Sequence, residues 1–204
     1  MNEVKVYPLF SSPVAIAKVY PSVFKTKDIL SKVVFNDTQS LGSNKSFSSQ
    51  LNILDSFPKQ KKILSDVFNE YKNDSLKLNE TNFILTTSWI TKTSPGGYSQ
   101  FHNHKNSVFS AVYYFNEISG GDIEFESYGI FPNQIMLNDP SEWTLYNATR
   151  HTCKPQKGEM IIFPSYLYHR ITENTSLHDR YSLAFNFFPI GAIGFKDSYI
   201  NLKK

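Results

Sequence analysis

Cysteine is all but missing. Cys153 is the single thiol in 204 residues, so no disulfide can form within the chain, and its cysteine usage fits a reducing compartment. Such a thiol is ordinarily a small buried hydrophobe, since a nucleophile would need an activating partner. Arginine is nearly as scarce, with Arg150, Arg170 and Arg180 set against a large majority of lysines. Charge of either sign is modest: 21 basic and 18 acidic residues leave a formal net charge of +3, spread evenly. That balance argues against nucleic acid as a partner. No apolar run approaches the roughly 20 residues of a membrane span. The N-terminus lacks the basic-then-apolar pattern of a signal peptide. Internal repeats, low-complexity blocks and a linker are absent too. Asn-x-Ser/Thr triplets, as at Asn147, occur as expected by chance in an Asn- and Thr-rich chain. The expectation is a cytoplasmic protein, monomer or homodimer, with residues 1–204 forming a single domain.

What is present is apolar and aromatic: 40% hydrophobic residues and 15% Phe, Trp and Tyr, the composition of a packed interior and not of a disordered chain. A chain of this length buries roughly 70% of its unfolded surface. The first 35 residues read as short extended pieces broken by Pro8, Pro13 and Pro21, then a short helix near Asp28 to Val33. Residues 36–50 are rich in Ser, Asn, Thr and Gly and read as an exposed loop. From Pro58 to Tyr71 the period becomes helical. Ile63, Leu64, Val67, Phe68 and Tyr71 share one stripe, and Pro58 suits the first turn. Beyond residue 82 the runs 83–93, 108–115, 122–127, 143–148, 159–163 and 181–188 are strand-like. Turn signals separate them at Ser94-Pro95-Gly96-Gly97, Ser119-Gly120-Gly121, Asn138-Asp139-Pro140 and Gln156-Lys157-Gly158. Short strands at this spacing predict a sandwich or barrel: a helix-bearing part, 1–82, packed on a β-core, 83–204.

Five histidines are available, and two of them form His102-Asn103-His104. In extended chain, residues i and i+2 point to one side, so both imidazoles can meet one ion. Surface loops also carry such pairs freely, so the pair alone decides little. His169, at the end of the run Ile161 to Tyr168, is the best third ligand, while His151 and His178 read as ordinary polar residues. Arg180 opens the run Arg180 to Phe187. Alternation there puts Arg180, Ser182, Ala184 and Asn186 on one face and Tyr181, Leu183, Phe185 and Phe187 on the other. A small polar face ending in a guanidinium suits an anionic ligand, which its planar fork can grip at two points. A surface ion pair with Asp179 is the alternative.

The order of these pieces resembles the iron(II)/2-oxoglutarate-dependent oxygenase superfamily. His-x-His comes first, then a strand ending Tyr113-Tyr114-Phe115-Asn116, then Gly120-Gly121-Asp122-Ile123-Glu124-Phe125. Gly158-Glu159-Met160-Ile161-Ile162-Phe163-Pro164-Ser165, His169 and Arg180-x-Ser182 follow. The likeness is closest to the prolyl-hydroxylase-like members, within them to a branch of bacteria and bacteriophages, which would place the protein in a host cytoplasm if phage-encoded. It covers roughly residues 83–189, with Tyr7 to Pro13 also typical of that branch. It implies a double-stranded β-helix (jelly-roll, cupin-like) fold, mainly β with flanking helices. It also implies Fe(II) as cofactor and 2-oxoglutarate as co-substrate, with hydroxylation of a substrate and release of succinate and CO2. His102 and His169 fall on the family's first and last metal histidines. Arg180 falls on the arginine that pairs with the distal carboxylate of 2-oxoglutarate, and Ser182 on the hydroxyl that assists it. Tyr114, in preference to Tyr113, would touch the co-substrate.

One position departs from the family pattern. His104 stands where the family has an aspartate or glutamate, whereas the usual facial triad is two histidines and a carboxylate. A third neutral imidazole leaves the site one positive charge richer, favouring the 2-oxoglutarate dianion and raising the iron potential. A carboxylate from Asp122 or Glu124 is a less favoured way to complete the site. The substitution keeps two other readings open. One is a three-histidine, cupin-type dioxygenase that uses no 2-oxoglutarate; the other is a non-catalytic jelly-roll binding or virion-associated protein. Trp89 and Phe101 are candidate pocket walls, the loops at 36–50 and 127–142 candidate lids, and the substrate is not legible.

Overall fold

The structure is a computed structural model and describes residues 4–8, 10–20, 22, 24, 26–37, 42–116, 119–127 and 139–203. Its N-terminal elements are β1 (Ala15–Lys18), α1 (Thr26–Leu30), β2 (Phe35–Asp37), β3 (Gly42–Ser48) and α2 (Pro58–Glu70). The remaining strands are β4 (Asn82–Ser99), β5 (Phe109–Tyr114), β6 (Ile123–Glu126), β7 (Arg150–Cys153), β8 (Glu159–Pro164), β9 (Tyr168–Ile171), β10 (Arg180–Ile193) and β11 (Ile200–Leu202).

Strand β5 is apolar on both sides because it is covered on both sides; every one of its residues is buried. It lies in the large sheet, ordered β1-β8-β5-β10-β4-β3-β2, with β11 pairing the far end of β10. A second sheet, β7-β6-β9, faces it. An isolated antiparallel bridge between His102 and His169 adds a rudimentary fourth strand beside β9.

Alternation along β5 divides the interior into two cores. Phe109, Ala111 and Tyr113 join Leu64, Phe68 and Tyr71 of the helical layer. Val112 and Tyr114 turn the other way and meet Ile123 and Phe125 of the small sheet. Helix α2 is held by its predicted stripe, with Phe68 stacked on Phe187 at 3.8 Å between ring centroids. Pro58 occupies its first turn, where a missing N–H costs nothing.

Several expectations need correction. The described residues of the polar segment 36–50 include strand in place of the expected loop: β2 and β3 pair antiparallel, and β3 pairs with β4. The edge that β4 offers outweighs the loop-like propensity of the segment. The run 143–148 is not a strand. Trp143 and Leu145 are exposed there, and the strand begins only at Arg150. Ser94-Pro95-Gly96-Gly97 does not end a strand either; β4 continues through it to Ser99, with Gly96 at φ 74° and a register shift against β3. The early helix is α1, shifted toward the N-terminus of the expected range.

Candidate metal centre and anion pocket

The backbone holds the three histidines before any metal does. His102 and His169 exchange both N–H···O=C bonds, each 2.9 Å, and the His104 N–H donates to Ser165 O at 3.0 Å. His102 and His104 are therefore tied to two ends of the turn between β8 and β9. One ring nitrogen from each of the three lies within 4.8 Å of the others. Among the described residues no carboxylate or thiol joins this group. Glu124 is turned outward onto Arg170, at 2.7 Å.

Each ring is also gripped from behind. His102 Nδ1 meets Gln100 O at 2.8 Å, and His169 Nδ1 meets Leu167 O at 2.9 Å. A carbonyl can only accept, so both rings carry their proton on Nδ1 and present the Nε2 lone pair, as a metal-bound histidine does. His104 Nδ1 instead meets side chains, Asn186 Oδ1 and Ser110 Oγ, both at 2.8 Å. Burial pushes the His104 pKa below its ordinary value, with the Asn186 bond opposing, so its neutral, ligating form is favoured.

The anion pocket follows from strand register. Arg180 pairs with Thr93, Ser182 with Thr91 and Tyr114, and Ala184 with Trp89 and Val112. Asn186 pairs with Ser110 in the same ladder. All these side chains lie on the face of the large sheet that looks toward the small one. Arg180 is 2% exposed, its guanidinium 4.7 Å from the centre of the Tyr114 ring. Its Nη1 and Nη2, the Tyr114 hydroxyl and the Thr93 hydroxyl are buried and make no hydrogen bond of acceptable geometry within the protein. Burial pulls the Arg180 pKa down, with Tyr114 and Asp122 opposing. An arginine nevertheless keeps its proton in proteins, so it is a buried cation in want of an anion. Burial likewise pushes the Tyr114 phenol up to about 12, against the Arg180 charge, so Tyr114 stays a hydrogen-bond donor. Donors without acceptors converge here, and a carboxylate would satisfy them.

A cavity of about 410 Å³ opens onto the histidines, within the roughly 300–1,000 Å³ range of small-molecule sites. Its walls include Phe47, Leu51, Thr87, Trp89, Val112 and Ile123, with Ser182 and Ala184 on the side toward Arg180. Trp89 is thus a wall. Phe101 is not among these wall residues: its ring sits between Arg170 and Arg150, at 4.8 and 5.4 Å from the guanidinium carbons. Phe47 on β3 makes the expected 36–50 lid a fixed wall in part, while residues 128–138 of the other expected lid lie outside the described residues. The surface ion pair imagined for Arg180 does not form, for Asp179 pairs with Lys92 at 3.2 Å. Tyr113 faces the helical core, stacked on Phe24 at 4.2 Å. His151 is exposed. Sequence reasoning passed over Thr93, Ser110 and Ser165. Only the cross-strand register makes Thr93 a neighbour of Arg180, and no sequence pattern carried it.

Residues 87–186 match the family model described as "Putative 2OG-Fe(II) oxygenase". No curated protein matches the chain by sequence. Among solved structures, HygX from Streptomyces hygroscopicus, with nickel and 2-oxoglutarate bound, is similar with a TM-score of 0.61 at 11% identity, over 87% of this chain and 83% of that one. A Pseudomonas putida prolyl-4-hydroxylase is similar with a TM-score of 0.55 at 15% identity, over 89% and 95%. A Trichoplax adhaerens prolyl hydroxylase, in complex with a hypoxia inducible factor peptide fragment, gives 0.57 at 12% identity, over 86% and 83%. These likenesses show the double-stranded β-helix fold, and the family model covers the stretch from Thr87 to Asn186 that carries the histidines, Arg180 and the cavity between them. Over that stretch the chain matches the 2OG-Fe(II) oxygenase family.

Proposed function

We propose that the protein is an iron(II)- and 2-oxoglutarate-dependent dioxygenase that hydroxylates a small-molecule or side-chain substrate, forming succinate and CO2. The observation that carries this reading is the orphaned donor cluster of Arg180, Tyr114 and Thr93, on the face of the large sheet that looks toward the small sheet and its His169. A three-histidine dioxygenase without a keto acid has no use for a buried arginine at that place. A non-catalytic jelly roll has no use for three histidines oriented from behind.

In this reading His102, His104 and His169 hold the iron on one side through Nε2. Bound iron supplies oxygen activation driven by the oxidation of 2-oxoglutarate. Arg180 and Tyr114, with Thr93, fix the distal carboxylate, and Ser182 assists from the same face. The buried guanidinium acts at full strength because water does not screen it. Val112, Ile123 and Ala184 keep the channel between the two ends dry, and Trp89 limits how the substrate approaches. Three neutral ligands leave the centre more positive than two histidines and a carboxylate would, which favours the dianion. We propose also that the chain is one domain, since β1 and β3 hydrogen-bond into the same sheet as the core strands, and that it is a monomer or homodimer without nucleic acid or membrane partners. No helix among the described residues is long and apolar enough to cross a membrane.

The test is iron-dependent conversion of 2-oxoglutarate to succinate in air, with His102→Ala and Arg180→Met beside the wild type. Succinate formation that requires iron, disappears in the first variant and needs at least tenfold more 2-oxoglutarate in the second is expected. Oxygen uptake with no succinate would overturn the keto-acid reading.

A further inference from the structure

Resting on the metal reading above, we infer that Asn186 and Ser110 are positioning residues. They hold His104 in the Nδ1–H tautomer, so that a histidine can serve where the family uses a carboxylate. A carboxylate ligates in any rotamer that brings an oxygen to the metal. A neutral histidine ligates through Nε2 only if its proton is on Nδ1. His102 and His169 obtain that proton placement from backbone carbonyls. His104 faces no carbonyl there and must obtain it from side chains.

The hydrogens around His104 can be counted. Four oxygen-bearing side chains form a chain behind the ring, with Ser110, Ser165 and Asn186 buried and Ser107 half-buried. Ser110 Oγ lies 2.8 Å from His104 Nδ1, 2.8 Å from Asn186 Oδ1 and 2.8 Å from Ser165 Oγ. Ser165 Oγ lies 2.7 Å from Ser107 Oγ, and Ser107 donates to Phe109 O at 2.9 Å. A hydroxyl has one proton to give. Ser110 gives its proton to Asn186 Oδ1, a carbonyl oxygen that can only accept. Nothing is left on Ser110 for His104, so the contact at His104 Nδ1 is closed by the histidine's own hydrogen. Asn186 gives the same answer from its own side. Its Nδ2 donates to Thr87 Oγ1 at 2.9 Å, which turns Oδ1, an acceptor, toward His104 Nδ1 at 2.8 Å. Two acceptors would repel at that distance, so Nδ1 carries the proton.

The sheet is bent to make this possible. Phe185 pairs with Ser88 and Phe187 with Leu85, so Asn186 alone opposes both Thr86 and Thr87. This β-bulge gives Asn186 two partners: Thr87 takes its side-chain amide, and Thr86 Oγ1 donates to its backbone carbonyl at 3.3 Å. Bulges re-aim side chains next to active sites. Ser110 and Ser165 are fully buried and Asn186 is 9% exposed, so water does not offer His104 an alternative partner from that side. Fully satisfied buried networks of this kind fix a single arrangement.

The test uses Asn186→Leu, which keeps the volume and removes the acceptor, and Asn186→Asp, which keeps an acceptor. Cobalt(II) serves as the probe, since it binds in air. Its affinity should fall about 10- to 100-fold in Asn186→Leu, the usual effect of losing the outer partner of a metal-ligating histidine. It should be retained in Asn186→Asp. Separately, long-range proton–nitrogen correlation spectra of the metal-free protein should show His104 protonated on Nδ1 in the wild type. In Asn186→Leu combined with Ser110→Ala they should show a population protonated on Nε2. His104 protonated on Nε2 in the folded wild type overturns the inference, as does equal weakening by Asn186→Leu and Asn186→Asp. Unchanged cobalt affinity in His102→Ala and His104→Ala would instead remove the metal reading. The tautomer spectra, which involve no metal, would still decide the inference.

Discussion

Arg180 and Thr93 show what the pocket gives up in stability when no anion is bound. A buried hydroxyl with no partner costs about 1–3 kcal/mol, and Thr93 is fully buried with its hydroxyl unpartnered. Thr93→Val keeps the shape and removes that cost. The metal-free variant should be about 1 kcal/mol more stable to urea than the wild type, while its 2-oxoglutarate affinity falls several-fold; equal stability together with unchanged affinity would place Thr93 outside the pocket. Arg180→Lys keeps the charge and loses the fork. At least a tenfold loss of 2-oxoglutarate affinity is expected by titration of the cobalt(II) form, with cobalt affinity unchanged, since Arg180 is not a metal ligand. At this scale much of the site could be read in the chain. The i, i+2 spacing of His102 and His104 and the alternation from Arg180 to Asn186 are local properties, visible without a fold. Thr93, Ser110 and Ser165 were not visible, because their roles come from strand pairing and from hydrogen-bond geometry across long sequence separations. Asn186 was placed on the correct face, but its bond to His104 depends on a bulge that no local pattern announces.

Helix α2 and β10 form the element on which the centre rests. Phe68 stacks on Phe187, the neighbour of Asn186, so the helical layer presses on the strand that carries both Arg180 and the His104 partner. Phe68→Ala removes a 1%-exposed ring from this contact and should cost about 3–5 kcal/mol in urea denaturation; a loss under 1 kcal/mol would mean that the helix does not brace β10. Elements with strong periodicity were legible: α2 within a residue at its end, and β5, β8 and β10 from their apolar runs. Those misread were governed by tertiary position. The segment 36–50 has loop composition, yet β4 offers its edge and takes it as strand β3. The run 143–148 has strand composition, yet it finds no partner strand and leaves Trp143 and Leu145 exposed. Local propensity yields to pairing in both directions.

For the whole molecule, the titration of two tyrosines on opposite faces of β5 sets the alkaline limit. Burial pushes Tyr113 up to about 12, and Tyr114 up to about 12 against the Arg180 charge. Each is raised above its unfolded value of about 10, so the stability it contributes is complete below pH 10 and is lost as pH rises toward 12. The urea midpoint should fall over that window with phenolate absorbance appearing at the unfolding transition, and Tyr113→Phe should make the fall shallower. Phenolate formation by all tyrosines while the protein stays folded would contradict it. Ligand binding acts in the opposite direction. A ligand at a hundredfold excess over its Kd stabilises by about 2.7 kcal/mol, or roughly 5–10 °C in Tm for a chain of this size. Iron(II) with 2-oxoglutarate, under anaerobic conditions, should give a rise of that order, and His102→Ala should abolish it. The claim that joins the two ends of the site is that one ion on His102, His104 and His169 and one dianion on Arg180 meet across the cavity. Adding iron(II) and 2-oxoglutarate to the metal-free protein without oxygen tests this directly, through the weak visible charge-transfer band of an iron-bound keto acid. A band that is absent in His102→Ala and needs far more 2-oxoglutarate in Arg180→Ala is expected; iron binding with no band at any 2-oxoglutarate concentration would overturn the keto-acid site.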